Sequence, residues 1–313
     1  MARYLVTGGA GFIGSHTVDR LLSQQHQVRV LDDLSSGKLD NLAHVKGRIE
    51  FVQGDIQDRT LMPSVMKGIE YALHIAAWRS VPKSMSDPMG YTDANVVGTA
   101  NVLDAAVKAK VKRVVCVSSS SVYGETDAVP LREDQPCRPI SPYACSKLVN
   151  EEYCGLFTRA YGLETACVRY FNVFGPRQSL ENDYAVVIPK FISCLLKQQS
   201  PPVYGDGKQS RDFTYVDNVV EGTIAASQAP GVSGEVFNIA LGEEHSLLDL
   251  LKHLNTIMGL SIKPDFQPPR AGDVRRTLAD PSKAARLLKW KGTIRFEEGL
   301  RRTVDWFRQH PPD

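Results

Sequence analysis

A tyrosine and a lysine at helical spacing follow a run of serines, and this combination could perform acid–base chemistry. The stretch from Ser118 to Lys147 reads SSSSVYGETDAVPLREDQPCRPISPYACSK. If Tyr143 opens a helix, Lys147 lies one turn later on the same face. A lysine ammonium there would stabilise the phenolate and lower the tyrosine pKa from its usual value of about 10. Tyr143 would then be a general base for a substrate hydroxyl, although ordinary surface pairs have the same spacing.

A glycine-rich turn near the start of the chain predicts a bound dinucleotide. The apolar run RYLVT stops at Gly8 and is followed by GGAGFIGSH, which fits the G-x-G-x-x-G pattern and has Gly8, Gly11 and Gly14 at three-residue spacing. Glycines allow a tight strand-to-helix turn and let the backbone approach a pyrophosphate at the helix N-terminus. Phe12 and Ile13 begin the helical apolar pattern. The turn therefore has the strand and the helix that a dinucleotide site requires.

An acidic residue at the end of the second strand indicates which dinucleotide is bound. The strand QVRVLDDL reaches Asp32 about 20 residues after Gly11, where a carboxylate takes the adenosine ribose hydroxyls. Because this carboxylate would repel a 2′-phosphate, we expect NAD rather than NADP. Asp33 is the weaker candidate, since strand alternation turns it to the other side.

Residues after the next two strands are expected to border the cofactor, because parallel strand ends face the cofactor crevice. Asp55, after the strand IEFVQ, is either an adenine contact or the N-cap of the next helix, and Ile56 is a wall for the adenine ring. Ala76 and Ala77, at the end of YALHIAA, leave room for a ligand close to the backbone. His74 lies among apolar residues of the same strand, which predicts a packed core histidine.

A helix predicted over residues 89–108 carries Asn95 among apolar residues. A buried amide needs hydrogen-bond partners, so we expect Asn95 to hold either a cofactor group or a neighbouring backbone. The run KRVVCVSS is typical of a buried parallel strand, which would deliver the serines to the crevice. Pro142 suits the first turn of the helix that carries Tyr143.

Composition and charge exclude several classes of protein. The chain has 313 residues, of which 42% are hydrophobic and 23% charged, as in soluble globular proteins large enough for two lobes. Its formal net charge of +2 and the lack of a long basic run argue against a nucleic-acid partner. No apolar stretch resembles a signal peptide or a membrane span, so we expect a cytoplasmic protein without a membrane partner. The six cysteines are too scattered to predict a metal site or a disulfide framework.

Several motifs occur in the order that one enzyme family has. TGGAGFIG, GDI, NVVGT, SSSSVYG and YACSK lie in the first half, and RYFNVFGPRQ, SRDFTYVDN and PPRAGD in the second. Together they resemble the extended short-chain dehydrogenase/reductases, and within them the NAD-dependent sugar-nucleotide 4-epimerases, over essentially the whole chain. The resemblance implies an α/β fold, a Rossmann doubly wound parallel sheet of about seven strands with a smaller α/β C-terminal substrate lobe. The NAD-binding domain would comprise residues 1–170, with 212–240 returning to it, and the substrate lobe residues 171–211 and 241–313.

The resemblance also assigns catalytic roles. The tyrosine and lysine of the family match Tyr143 and Lys147, and its assisting serine matches Ser119, with Ser120 and Ser121 as neighbours that the uninterrupted run makes hard to exclude. It implies that the Tyr143 phenolate removes the sugar 4-OH proton while hydride passes from C4 to NAD. The 4-keto sugar then turns over, hydride returns to its opposite face, and NAD is regenerated as a retained group.

The second half of the chain is expected to hold a UDP-sugar, and the resemblance implies a homodimer packed through the helices at about 89–108 and 143–160. Arginine matches phosphate oxygens, and Arg211 and Arg270 resemble the pyrophosphate arginines of the family. The remaining substrate contacts that the resemblance suggests are Asp273 for ribose, Asn172 for phosphate or sugar, Val187 and Tyr204 around the uracil, and Ser80, Ser120 and Ser121 for the rest of the substrate.

The sequence distinguishes this chain from some, but not all, related enzymes that act on sugar nucleotides with the same cofactor. Sugar-nucleotide 4,6-dehydratases carry an acidic pair where this chain has Ser121 and Val122, so the acid and base for water elimination are missing. Three alternatives stay open. They are a UDP-glucuronic acid 4-epimerase, another NAD-dependent sugar-nucleotide oxidoreductase or decarboxylase, and a non-catalytic NAD-binding protein. The retained catalytic residues argue against the last of these.

Thr277 bears on the choice of sugar, because relatives with a bulky tyrosine at this position favour plain hexoses. The threonine predicts that UDP-N-acetylglucosamine and UDP-N-acetylgalactosamine interconvert at least as well as UDP-glucose and UDP-galactose. Relatives differ at the position of Arg79, so its role is left open.

Overall fold

Strands and helices alternate along the first two thirds of the chain in a computed structural model that describes residues 1–180, 187–269 and 274–311. The strands, in chain order, are β1 (Arg3–Thr7), β2 (Gln27–Asp32), β3 (Glu50–Gln53), β4 (Tyr71–His74), β5 (Arg113–Ser119), β6 (Glu164–Tyr170), β7 (Asn172–Phe174), β8 (Pro202–Tyr204), β9 (Ser210–Arg211), β10 (Phe213–Tyr215), β11 (Glu235–Ile239), β12 (His245–Ser246) and β13 (Asp265–Gln267).

Helices separate most of these strands. They are α1 (Phe12–Ser23), α2 (Met62–Met66), α3 (Val81–Ser86), α4 (Pro88–Tyr91), α5 (Gly98–Ala109), α6 (Pro142–Tyr161), α7 (Val187–Leu196), α8 (Val216–Gln228), α9 (Leu247–Met258), α10 (Ser282–Leu287) and α11 (Phe296–Gln309). Two 3-10 turns (Leu39–Val45 and Ser120–Tyr123) and a π turn (Thr92–Val97) complete the helical segments. None of the helices in the described ranges combines the length and the hydrophobicity of a membrane span.

Seven strands form one parallel sheet in the order β3-β2-β1-β4-β5-β6-β11, which confirms the predicted doubly wound α/β fold. Helices α1 and α8 cover one face of the sheet, and α2, α5 and α6 cover the other. The central strands are therefore buried on both sides, as their continuous apolar runs require. The strand order reverses between β1 and β4, which opens a crevice at the carboxyl ends of the strands.

The remaining short strands pair outside the large sheet, β10 with β7, β12 with β9 and β13 with β8. Helices α7, α9 and α11 pack against one another beside them. Their buried leucines belong to the same apolar cluster as α1 and α8. These short strands and helices thus share their core with one face of the sheet.

Local sequence signals fix where α6 begins and ends. The Ser141 hydroxyl accepts a hydrogen bond from the Ala144 amide at 3.2 Å, and Pro142 occupies the first turn. Gly162 ends the helix in the left-handed region, with φ at 69°. These caps set the register of the helix, and with it the positions of Tyr143 and Lys147.

The helix predicted over residues 89–108 is not uniform. It consists of α4, the π turn and α5, and Asn95 lies in the π turn. A π turn inserts one extra residue into the helical hydrogen-bond ladder and re-aims a side chain. Here the side chain that it places is the buried amide of Asn95.

Candidate active site

A cavity of about 490 Å³ opens where the carboxyl ends of the central strands meet the N-termini of α1 and α6. It brings together most of the residues nominated for catalysis and cofactor binding, although these come from distant parts of the sequence. Its lining includes Gly8, Gly11, Phe12, Ile13, Gly14, Asp32, Asp55, Ile56, Ala76, Ala77, Ser119, Ser120, Ser121, Tyr143, Lys147 and Asn172.

The glycine turn is shaped for a ligand that lies against the backbone. Gly8 has φ at 70°, a conformation that favours glycine, and its carbonyl accepts a hydrogen bond from the Gly11 amide at 3.2 Å. A Cβ atom added at Gly14 would lie 2.0 Å from the Gly8 oxygen, and one at Gly8 would lie 2.8 Å from the backbone of Ala76. With glycine at both positions the turn packs tightly onto α1, whose N-terminal amides can meet a pyrophosphate. This cradle fits a dinucleotide.

Asp32 ends β2 beside this turn. Its two carboxylate oxygens accept hydrogen bonds from the amides of Ala10 and Leu34, both at 2.9 Å. Burial raises the pKa of this carboxyl above its ordinary value, against the two amide hydrogen bonds. The neighbouring Asp33 is exposed and accepts from Ser35. Asp32 is thus the carboxylate that the protein holds in a fixed orientation at the cavity wall.

Asp55 combines the cavity position with a local backbone role. Its carboxylate accepts from the Gln57 amide at 2.8 Å, which forms a turn rather than a helix cap, because α2 begins only at Met62. Ile56 is buried against Gly98 of α5 and lines the cavity with its remaining surface.

The serine strand and the tyrosine helix meet at the inner end of the cavity. At the end of β5 the Ser119 hydroxyl faces the Tyr143 phenol, and it donates to the Ser121 hydroxyl at 3.1 Å and accepts from the Ser121 amide at 3.2 Å. The Tyr143 ring also packs edge-on against Tyr91, with the ring centroids 6.4 Å apart. Lys147 is buried below the tyrosine and donates from Nζ to the Val117 carbonyl at 2.9 Å. Ser119 acts on the Tyr143 phenol, and Ser120 and Ser121 line the same cavity.

The electrostatics at Tyr143 differ from the expectation drawn from spacing alone. Burial raises the pKa of the Tyr143 phenol, while the Ser119 hydrogen bond and the charge of Arg79 act in the opposite direction. Burial also lowers the pKa of Lys147. The prediction that Lys147 leaves the phenol with a lowered pKa is wrong for this structure, because its ammonium group is bonded to the Val117 carbonyl and burial has the larger effect.

Two nominated residues have structural roles instead of lining the cavity. The Asn95 amide accepts from the Trp78 amide at 2.8 Å and donates to the Trp78 carbonyl and the Ser146 hydroxyl, each at 3.0 Å. It takes the second of its two predicted roles, holding a neighbouring backbone, and geometry gives no support to a direct cofactor contact. The Ser80 hydroxyl caps α3 by accepting from the Lys83 amide at 3.3 Å, and Ser80 is outside the cavity lining.

His74 is a core residue, as predicted. Its two ring nitrogens pair with the hydroxyls of Thr7 and Thr99 at 2.8 and 2.9 Å. Burial lowers its pKa to about 4, so the ring stays neutral at physiological pH.

The residues nominated for the substrate are only partly brought together. Asn172 lines the cavity, and the Thr277 hydroxyl lies 3.4 Å from its side-chain oxygen. Arg211, in β9, donates to the Ser210 carbonyl at 2.8 Å. Val187 opens α7 and Tyr204 ends β8, and neither these two nor Arg211 line the cavity within the described ranges. The predictions for Arg270 and Asp273 lie outside the described residues.

Some lining residues were not nominated. Trp78 and Arg79 follow β4, and Arg79 makes no hydrogen bond or ion pair with residues of the described ranges. Gln178 donates to the Val173 carbonyl at 2.9 Å, while its side-chain oxygen is buried and finds no donor in the described part of the chain. The signal for Gln178 was present in the sequence, since it is the last residue of RYFNVFGPRQ.

Known proteins share both the sequence and the fold. Residues 5–303 match the family model described as GDP-mannose 4,6 dehydratase. A UDP-glucose 4-epimerase of Mycolicibacterium smegmatis is 40% identical over 310 residues, which cover 98% of each chain. A UDP-N-acetylglucosamine 4-epimerase of Methanobrevibacter ruminantium, solved in complex with UDP-N-acetylmuramic acid, superposes with a TM-score of 0.95 at 38% identity over 99% of each chain. The Thermus thermophilus UDP-glucose 4-epimerase in complex with NAD has a TM-score of 0.90 at 35% identity, over 98% of this chain and 99% of the other.

Proposed function

Since the chain belongs to the GDP-mannose 4,6-dehydratase family of extended short-chain dehydrogenase/reductases, we propose that it is an NAD-dependent 4-epimerase of UDP-hexoses. The observation that carries this proposal is the placement of Ser119 next to Tyr143 in the cavity that contains the glycine turn. A hydroxyl-activating pair beside a dinucleotide cradle is what reversible oxidation of an alcohol requires.

The cofactor would be held by the glycine turn and by Asp32. The turn offers bare backbone and the α1 N-terminus to the pyrophosphate, and Asp32 offers an ionisable carboxylate to the adenosine ribose. Bound there, NAD would supply a hydride acceptor and donor at the sugar C4.

Side chains of the protein would transfer the proton of the sugar 4-OH. Ser119 lies next to the phenol and favours the phenolate, and Tyr143 takes the proton of the sugar 4-OH and returns it after the ring has turned over. Lys147 fixes the helix to the end of β5 through the Val117 carbonyl. The charge of Arg79 makes the phenolate easier to form.

The lining of the cavity argues against water elimination. Its carboxylates within the described ranges are Asp32, Asp33 and Asp55, all at the end of the cavity predicted for adenosine. Ser121 and the buried Val122 stand where a 4,6-dehydratase has its acidic pair. The family model carries the name of a dehydratase, but the chain's membership in that family is therefore compatible with epimerisation.

For the sugar, we propose that N-acetylhexosamines are accepted at least as well as plain hexoses. Support comes from the small Thr277 side chain, whose hydroxyl lies behind the cavity lining, 3.4 Å from the side-chain oxygen of the lining residue Asn172. Among the relatives, a UDP-glucose 4-epimerase and a UDP-N-acetylglucosamine 4-epimerase are similarly close in sequence. UDP-glucuronic acid stays as the alternative substrate.

The deciding experiment is a coupled assay of the purified protein with UDP-glucose, UDP-N-acetylglucosamine and UDP-glucuronic acid, without added NAD. Epimerisation of the first two, with NAD released on denaturation, is the expected result. Turnover of UDP-glucuronic acid alone would move the assignment to the uronic acid. Binding of NAD without turnover of any of the three would leave a non-catalytic protein and refute the proposal.

We also propose a cytoplasmic homodimer formed through α5 and α6. Leu156 and Tyr161 of α6 are 45% and 60% exposed, and a second copy of the helix would cover these apolar side chains. Light scattering should give twice the chain mass for the unmodified protein and a monomer for Leu156→Lys. A monomeric unmodified protein would refute the dimer.

A further inference from the structure

A buried ion pair lies behind the catalytic residues and does not line the cavity. Glu151 of α6 and Arg169 of β6 have side chains that are only 5% and 4% exposed. Arg169 donates from Nε and Nη2 to the two carboxylate oxygens of Glu151, at 2.9 and 2.7 Å. Both side chains are outside the lining of the cavity.

The carboxylate joins the tyrosine helix to the serine strand. Glu151 lies one turn after Lys147, on the face of α6 that also carries Tyr143. Its Oε1 accepts a hydrogen bond from the Ser118 hydroxyl at 2.5 Å. Ser118 directly precedes Ser119, so this bond restrains the end of β5 against the helix.

The guanidinium restrains the chain on the other side of Ser119. Arg169 pairs in register with Ser118 in the sheet, and its guanidinium lies 4.6 Å from the ring centroid of Tyr123. Tyr123 closes the 3-10 turn that begins at Ser120, and its hydroxyl donates to Asn238 of β11 at 2.7 Å. The ion pair thus contacts the segments immediately before and after Ser119.

We propose that Glu151 and Arg169 are positioning residues that hold Ser119 next to Tyr143. A buried ion pair is a poor source of stability, because the desolvation of both charges offsets their attraction. Here the Nη1 group of Arg169 is also buried without a hydrogen-bond partner among the described residues. Stability is therefore a weak explanation for the pair, whereas its three contacts on either side of Ser119, with Ser118 through Glu151, with Ser118 through the sheet register and with the Tyr123 ring, explain it directly.

The kinetic test of this proposal rests on the proposed function. A second measurement, the titration of Tyr143, does not depend on turnover. The variants are Ser118→Ala, which removes one tether, and the double variant Glu151→Leu with Arg169→Met, which replaces the pair by apolar side chains and leaves no unpaired charge. We expect kcat to fall about 10–100-fold in the double variant and less in Ser118→Ala, with KM and NAD retention within about threefold.

The second measurement is the ionisation of the Tyr143 phenol as a function of pH. NMR of protein with ring-labelled tyrosine monitors it, and the Tyr143→Phe variant assigns the Tyr143 signal. The interaction with Ser119 favours the phenolate of Tyr143, so displacement of Ser119 should raise the pKa of Tyr143. Arg79 and Tyr91, which also face the phenol, are unchanged in these variants. If the unmodified protein has no turnover, the proposed function fails while this titration still tests the positioning role.

A matched control lies at the other end of the same two strands. Arg113, at the start of β5, donates to Glu164, at the start of β6, at 2.5 Å. Glu164→Gln should leave kcat and the Tyr143 titration unchanged. The proposal is overturned if the double variant keeps kcat within threefold, if its loss is only that of thermal stability and NAD content, or if Ser118→Ala and Glu164→Gln behave alike.

Discussion

Replacing Gly14 by alanine should weaken cofactor binding through a local steric conflict. The added Cβ would lie 2.0 Å from the Gly8 oxygen, 2.7 Å from the Gly9 Cα and 2.8 Å from the Gly8 carbonyl carbon. Since real Cβ contacts stay beyond 3.0 Å, the turn and the helix must separate by about 1 Å. All three atoms belong to the backbone, so no side chain can rotate away.

The expected magnitude follows from the packing. Overfilling a close-packed site costs about 1–3 kcal/mol, and each 1.4 kcal/mol corresponds to about a tenfold change in affinity. If most of this free energy is lost from NAD binding at the glycine turn, the NAD affinity of Gly14→Ala drops about tenfold or more. The assay is a fluorescence titration of NAD into protein stripped of cofactor, together with urea unfolding of the stripped protein.

Gly155→Ala is the control, because this glycine lies within α6 and its nearest neighbour is the flexible end of Arg159, at 3.1 Å. Alanine is favoured over glycine in a helix by about 1 kcal/mol, so this variant should keep its NAD affinity and gain stability. Unchanged NAD affinity in Gly14→Ala would refute the view that the bare Gly14 backbone forms the cradle.

Three further predictions concern the reaction, the sugar and the pH dependence. Tyr143→Phe should lose about 10²–10⁴-fold in kcat and keep its NAD affinity; a residual rate near that of the unmodified protein would remove Tyr143 from the proton transfer. Thr277→Tyr should abolish turnover of UDP-N-acetylglucosamine and spare UDP-glucose, and an equal loss of both would contradict the gating role. Burial raises the pKa of Asp212 to about 7, although the Gly242 amide donates to it. Between about pH 4 and pH 7 the folded state keeps a proton that the unfolded state releases, so the free energy of unfolding falls as pH rises, by at most about 1.4 kcal/mol per pH unit. Urea unfolding should show this fall for the unmodified protein and a flatter profile for Asp212→Asn; parallel profiles would mean that Asp212 does not titrate in this window.

The correction at Lys147 changes how the tyrosine is understood. Helical spacing alone suggested a lysine charge that favours the phenolate, but the ammonium group donates to the Val117 carbonyl. Burial then dominates the pKa of Tyr143, and only Ser119 and Arg79 are seen to oppose it. Under the proposed function, the placement of Ser119 would then bear on proton transfer, which is the role proposed for the buried pair behind it.

The sequence alone determined the features that depend on local order along the chain. The glycine turn, Asp32 at a strand end and the pair Tyr143 and Lys147 follow from spacing, because strand and helix periodicity place such residues without reference to distant segments. The alternation of strands and helices likewise determined the α/β fold class.

The tertiary structure decided which long-range partner each polar group has. The Asn95 amide is bonded to Trp78, Lys147 to Val117, and Glu151 to both Ser118 and Arg169. Each of these bonds joins segments that no periodic pattern relates, and a buried polar group takes the partner that the packed fold brings within about 3 Å. For that reason the sequence could nominate the catalytic residues, and only the assembled fold could show what holds them in place.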